Sequence, residues 1–69
     1  MDRTPVSSSN IASIGYDAGT SVLEIEFLNG SVYQYYDVPD FIYDGLMGAA
    51  SHGTYLSSSI KGHYQYARV

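Results

Sequence analysis

Apolar and acidic residues alternate most cleanly at Val22-Leu23-Glu24-Ile25-Glu26-Phe27, which sets Leu23, Ile25 and Phe27 on one side and both glutamates on the other. A period of two predicts a half-buried β-strand. Asn29-Gly30, a strong hairpin dipeptide, follows and leads into Ser31-Val32-Tyr33-Gln34-Tyr35-Tyr36. Loop length decides which side these tyrosines occupy. A two-residue loop sends Tyr33 and Tyr35 to the glutamate side. A three-residue loop, Leu28-Asn29-Gly30 with Gly30 in the left-handed bulge position, pairs Phe27 with Ser31, Ile25 with Tyr33 and Leu23 with Tyr35. The longer loop is preferred because it gathers every large apolar residue on one face and leaves Glu24, Glu26, Gln34 and Tyr36 outside. A one-residue shift scrambles that separation.

Upstream, Asn10 to Tyr16 mixes β-branched and small polar residues and ends at the turn-like Asp17-Ala18-Gly19, which predicts a first strand. Downstream, Asp37-Val38-Pro39-Asp40 reads as a helix entry, with Pro39 near the first helical position and acids at the positive pole. A helix over Pro39 to Ser51 places Ile42, Tyr43, Leu46, Met47, Ala49 and Ala50 in one stripe. Gly45 and Gly48 each weaken it by about 0.5–1 kcal/mol unless a close approach offsets the loss. His52-Gly53 is expected to end this helix, with His52 satisfying terminal carbonyls. Thr54 is then expected to cap a second helix running to Ile60, with Gly62 stopping it and residues 63–69 extended. The fold class predicted is a single α+β domain over residues 1–69: a three-stranded antiparallel meander covered by one helix and a short second one, with an extended carboxy-terminal segment.

Composition bounds what such a domain does. The 69 residues are 45% hydrophobic and only 14% charged, which excludes a disordered tail, and the absence of cysteine removes disulfides and thiolate zinc sites. A core this small is marginal, and an uncovered sheet edge offers a pairing surface, so a homo-oligomer is expected. No apolar run reaches the length of a membrane span and no signal-peptide pattern is present, so the expected location is cytoplasmic, without a membrane partner. Charge is uneven. Asp17, Glu24, Glu26, Asp37, Asp40 and Asp44 lie in a stretch without Lys or Arg, whereas residues 51–69 hold Lys61 and Arg68 and no acid; the net is −4. That balance argues against broad capture of duplex DNA but leaves a local basic edge able to hold one or two phosphates.

Catalytic patterns are missing. Neither a Gly-x-Ser-x-Gly elbow nor a Ser-x-x-Lys pair occurs, and Glu24 and Glu26 read as solvated polar coverage. His52 and His63 lack metal-ligand spacing. The expectation is a non-enzymatic module with no cofactor or metal. Tyrosine is what stands out, with eight copies and no tryptophan. Spacing assigns Tyr33, Tyr35, Tyr43 and Tyr55 to the core. Tyr64, Tyr66 and Arg68 share one parity just after Lys61, so aromatic platforms and cations are placed to face one ligand; a carboxy-terminal strand docked on the body is the competing reading. The candidate ligand-binding set is therefore Arg3, Ser8, Ser9, Asn10, Lys61, Tyr64, Tyr66 and Arg68. Its expected ligand is a small nucleotide, a cyclic one included, or RNA, held between copies of the chain. The alternative is a protein-interaction or homo-oligomeric structural module with no nucleic-acid ligand.

Several stretches together resemble the KTSC domain family, found at the carboxyl end of some lysyl-tRNA synthetases and as a stand-alone protein. They are Pro5-Val6-Ser7-Ser8-Ser9-Asn10-Ile11, Ile14-Gly15-Tyr16-Asp17, Leu23 to Phe27, Tyr33-x-Tyr35, Val38-Pro39 with Tyr43 and Leu46, Ser51-x-Gly53-x-Tyr55, Ile60-Lys61 and Tyr64-x-Tyr66. The resemblance implies a module rather than an activity, with RNA binding suggested by the synthetase context. After Gly53 this chain has Thr54-Tyr55-Leu56-Ser57 where the family pattern is closer to Lys-Tyr-Phe-Asn, so a cation and an amide are missing.

Overall fold

The hairpin forms as its alternation dictates. In a computed structural model, which describes residues 1–69, strands β1 (Arg3–Pro5), β2 (Ile11–Asp17), β3 (Val22–Phe27) and β4 (Val32–Tyr35) precede helices α1 (Asp40–Gly48) and α2 (His52–Tyr55). A π-helical turn, Leu56–Ile60, continues α2, and strand β5 (Tyr66–Arg68) closes the order. All strands pair antiparallel in the sequential order β1-β2-β3-β4-β5. Across the hairpin, Leu23 faces Tyr35 and Ile25 faces Tyr33. Gly30 takes φ +89°, and Phe27 N–H donates to the Ser31 carbonyl at 2.9 Å, which is the three-residue bulged loop.

The sheet has five strands rather than the three expected. β1 lies in a Pro-containing run of three residues without alternation, so only its partner reveals it. That partner is β2, where Gly15 sits opposite Arg3; a Cβ on Gly15 would lie 2.7 Å from the Asp2 carbonyl oxygen. β5 is the extended tail, paired onto β4. In β2 a bulge between Ile11 and Ser13 resets the alternation, so Ile11 and Ile14 are both fully buried although their parities differ.

Two helix boundaries also shift. α1 stops at Gly48, short of Ser51, and Pro39 is its cap rather than its first helical residue. The second helix starts at His52, and its cap is Ser51, whose Oγ accepts the Thr54 N–H at 3.2 Å; Thr54 is inside the helix. His52 Nδ1 lies 2.8 Å from the Leu46 carbonyl, so it does close the end of α1. Gly62, at φ +81°, ends the helical run.

Both helices cover one face of the sheet, and Ile11, Ile14, Leu23, Ile25, Tyr35, Val38, Leu46, Leu56 and Ile60 form the core between them. Tyr16 stacks on Tyr43 at 4.8 Å and donates to the Val38 carbonyl at 2.6 Å, which ties β2 to the start of α1. On the other face Arg3 reaches Glu24 at 2.8 Å, Gln34 donates to Glu24 at 2.8 Å, and Ser13 donates to Glu26 at 2.8 Å. Both glutamates are thus hydrogen-bonded, but the Glu24 side chain is only 12% exposed, so it is not the solvated group expected. No helix is long and apolar enough to cross a membrane.

Candidate functional site

Helices leave one end of the sheet face open, and the β4–β5 pairing fills it with rings. Tyr66 lies across from Tyr35 and Arg68 across from Tyr33, so all four side chains belong to the helix-covered face. The Tyr66 ring is 5.9 Å from that of Tyr33 and 5.8 Å from that of Tyr35, and Tyr33 meets Phe27 edge-on at 5.7 Å. Exposure is graded: Tyr35 is 3% exposed and Tyr66 61%, with Tyr33 half-buried between them. Lys61 enters from the π-helical turn. The bond from its N–H to the Leu56 carbonyl, 2.8 Å, closes that turn, while Leu56 and Ile60 point into the core and Lys61 lies beyond it. Its Nζ sits 5.5 Å from the Phe27 ring centroid.

The result is a shallow groove of about 580 Å³ with Phe27, Tyr33, Tyr35 and Tyr66 as its aromatic wall and Lys61 as its cation. Asn29 and Ser31, bonded to each other at 2.6 Å, add polar lining. The ion pairs of the chain all belong to Arg3, so Lys61 and Arg68 carry charge with no carboxylate partner. A concave site with an apolar wall and uncompensated positive charge is suited to a flat, anionic ligand.

Clustering of phenols has a titration consequence. Burial raises the pKa of the Tyr35 hydroxyl above its ordinary 10.0, and neighbouring Tyr66 and Tyr33 push it further in that direction. Folded and unfolded chains both keep the proton below about pH 10, so this group leaves stability unchanged there. As pH rises above that value the unfolded chain releases the proton first, and stability falls until the folded hydroxyl ionises as well. Unfolding midpoints measured from pH 9 to 11.5 should therefore fall less steeply for Tyr35→Phe than for the parent. Equal slopes would refute the shift.

The sequence-derived candidates fall in separate places. Lys61 and Tyr66 line the groove, whereas Arg68 is not one of its lining residues and lies across from Tyr33 on β5. Tyr64 is half-buried against the core and lines an adjoining depression with His63 and Gln65. Ser8 and Ser9 border a different hollow, shared with Ser51 and His52, away from the aromatic groove. Ser8 Oγ accepts the Ile11 N–H at 3.3 Å, and Asn10 packs where a Cβ on Gly53 would lie 2.5 Å from its Oδ1. These residues shape the turn into β2 and seat it on α2. Arg3 is on the opposite face, engaged with Glu24. Conversely, Phe27, Tyr33 and Tyr35 were legible only as core residues, and β5 is what turns them into a wall. The signal that could have found them is the i, i+2 spacing that puts Tyr33 with Tyr35 on one face of β4 and, once the tail is read as a strand, Tyr66 with Arg68 on one face of β5.

Fold and groove together define a small α+β module with one open aromatic patch. The KTSC domain model matches residues 7–64, and the chain belongs to the KTSC domain family. A crystal structure of a KTSC domain protein from Yersinia pestis superposes with a TM-score of 0.93 at 42% identity, over 99% of this chain and 96% of that one. An uncharacterized protein of Stutzerimonas stutzeri is 37% identical over 100% of this chain and 99% of its own length. A lysine–tRNA ligase of Nostoc punctiforme is 36% identical over 88% of this chain, a match that spans 11% of the ligase.

Proposed function

We propose that this domain is a non-catalytic binding module that holds a nucleotide or single-stranded RNA in the aromatic groove. The base lies on the exposed Tyr66 ring with Tyr33 beside it, and the phosphate is met by Lys61 and Arg68. The observation that carries this reading is the phenol ring of Tyr66, 61% exposed, which shares its groove with Lys61 and its strand face with Arg68, two cations that no carboxylate neutralises. Stacking on an aromatic ring is sequence-tolerant and worth about 1–3 kcal/mol per base. Occurrence of a similar segment within lysine–tRNA ligases is consistent with an RNA-related ligand.

Titration of the ¹⁵N-labelled protein with nucleoside monophosphates and short oligoribonucleotides tests the assignment. Shifts are expected at Phe27, Tyr33, Lys61 and Tyr66. Tyr66→Ala should weaken binding about 5- to 150-fold, the range that loss of one stacked base corresponds to. Phe41→Ala, a change at an exposed ring on α1, should leave affinity unaltered. A self-associating module is the second reading, favoured by β5 being an edge strand and by the exposed Tyr66 and Val69 side chains in and beside it. It predicts a mass in solution that rises with concentration and no shift with any nucleotide.

A further inference from the structure

How many nucleotides the groove accommodates follows from its rings and charges. Of the aromatic wall, Tyr35 is buried, Tyr33 and Phe27 are half-buried, and the Phe27 face is taken by Lys61. Only Tyr66 offers an open ring, so there is one stacking platform, whereas modules that read successive bases present two or three. A volume of about 580 Å³ is of the size that takes one small ligand. Charge points the same way. Lys61 and Arg68 supply two positive charges, which match a phosphomonoester at about −1.5 to −2 near neutral pH better than an internal phosphodiester at −1. The rest of the chain does not supply a track for a longer backbone: the third cation, Arg3, is on the other face and paired with Glu24, and the net charge is −4.

We propose that the groove takes a single nucleotide unit bearing a terminal phosphate, its base on Tyr66 and its phosphomonoester between Lys61 and Arg68. This rests on the nucleotide reading above and narrows it. The chemistry is the same whether the unit is a free nucleoside monophosphate or the phosphorylated end of a strand.

Four probes separate the possibilities for each of the four bases: nucleoside, nucleoside 5′-monophosphate, decaribonucleotide with a 5′-hydroxyl, and the same decamer with a 5′-phosphate. The monophosphate and the phosphorylated decamer should bind within about threefold of each other. Nucleoside and 5′-hydroxyl decamer should bind at least about tenfold more weakly, the smallest effect expected for losing a charge-assisted contact. Raising salt from 50 to 200 mM should weaken the phosphorylated decamer only about 3- to 7-fold, as for one or two neutralised phosphates. Preference for the free monophosphate over both decamers keeps the single unit and assigns the free nucleotide as its source. A 5′-hydroxyl decamer binding as tightly as the monophosphate, or a phosphorylated decamer binding where the monophosphate does not, overturns the single-unit assignment while leaving nucleic-acid binding intact. Silence from all four probes would remove the nucleotide reading itself.

Discussion

Ile25→Ala is expected to remove about 2–5 kcal/mol of folding stability, a large fraction of what the domain has. Ile25 is fully buried on β3, the central strand of the sheet, opposite Ile14 on one side and Tyr33 on the other. Truncation loses both the transfer energy of the removed methyl groups and the contacts around the cavity left behind. At roughly 0.05–0.15 kcal/mol per residue, a 69-residue chain has only about 3–10 kcal/mol in total, so the loss is comparable to the whole. Ile25→Val, which removes one methyl group, should cost about 0.5–1.5 kcal/mol. Phe41→Ala provides the contrast, because that ring is 67% exposed and its loss should stay within about 0.5 kcal/mol. Urea denaturation of the three variants orders them. A parent-like midpoint for Ile25→Ala would mean that the core does not sit where β3 meets its neighbours.

The same strand shows why part of this fold was legible in the chain. Leu23, Ile25 and Phe27 alternate with two glutamates, and Asn29-Gly30 sets the loop, so both the face and the register of the hairpin follow from local rules. β1 and β5 carry no such local signal. Each is three residues long and exists because a neighbour's backbone offers hydrogen bonds, as Val69 N–H does in reaching the Val32 carbonyl at 2.9 Å. Pairing across that many residues is a tertiary fact. It is also what forms the candidate groove, since Tyr66 meets Tyr33 and Tyr35 only across β4 and β5. Parity identified Tyr66 and Arg68 as partners in one face, whereas Ser8 and Asn10, grouped with them by polarity, turn out to hold a turn together. Polar character alone does not distinguish a residue that binds its own backbone from one that faces a ligand.

Two glycines in α1 make the clearest case of one sequence signal with two physical meanings. By propensity alone, Gly45 and Gly48 weaken the helix equally. In the structure they differ: a Cβ on Gly48 meets nothing within 4 Å, whereas one on Gly45 would run into the Tyr55 hydroxyl and come within 2.7 Å of its ring carbon Cζ. Gly45 is therefore where α1 lets the Tyr55 ring pack close against its backbone, and the conformational freedom lost there is offset by that contact. Gly48→Ala is expected to raise stability by about 0.4–1 kcal/mol through the unfolded chain. Gly45→Ala is expected to lower it by about 1–3 kcal/mol, because Tyr55 must leave its position between the helices. In a Tyr55→Leu background the ring end is gone, and the sign should reverse, with Gly45→Ala then stabilising by about 0.4–1 kcal/mol. Denaturant midpoints of the four chains in that cycle give the coupling directly. If Gly45→Ala stabilises the parent as much as Gly48→Ala does, the two helices are not held apart by this contact, and the position of α2, and with it the reach of Lys61 toward Phe27, must be set by something else.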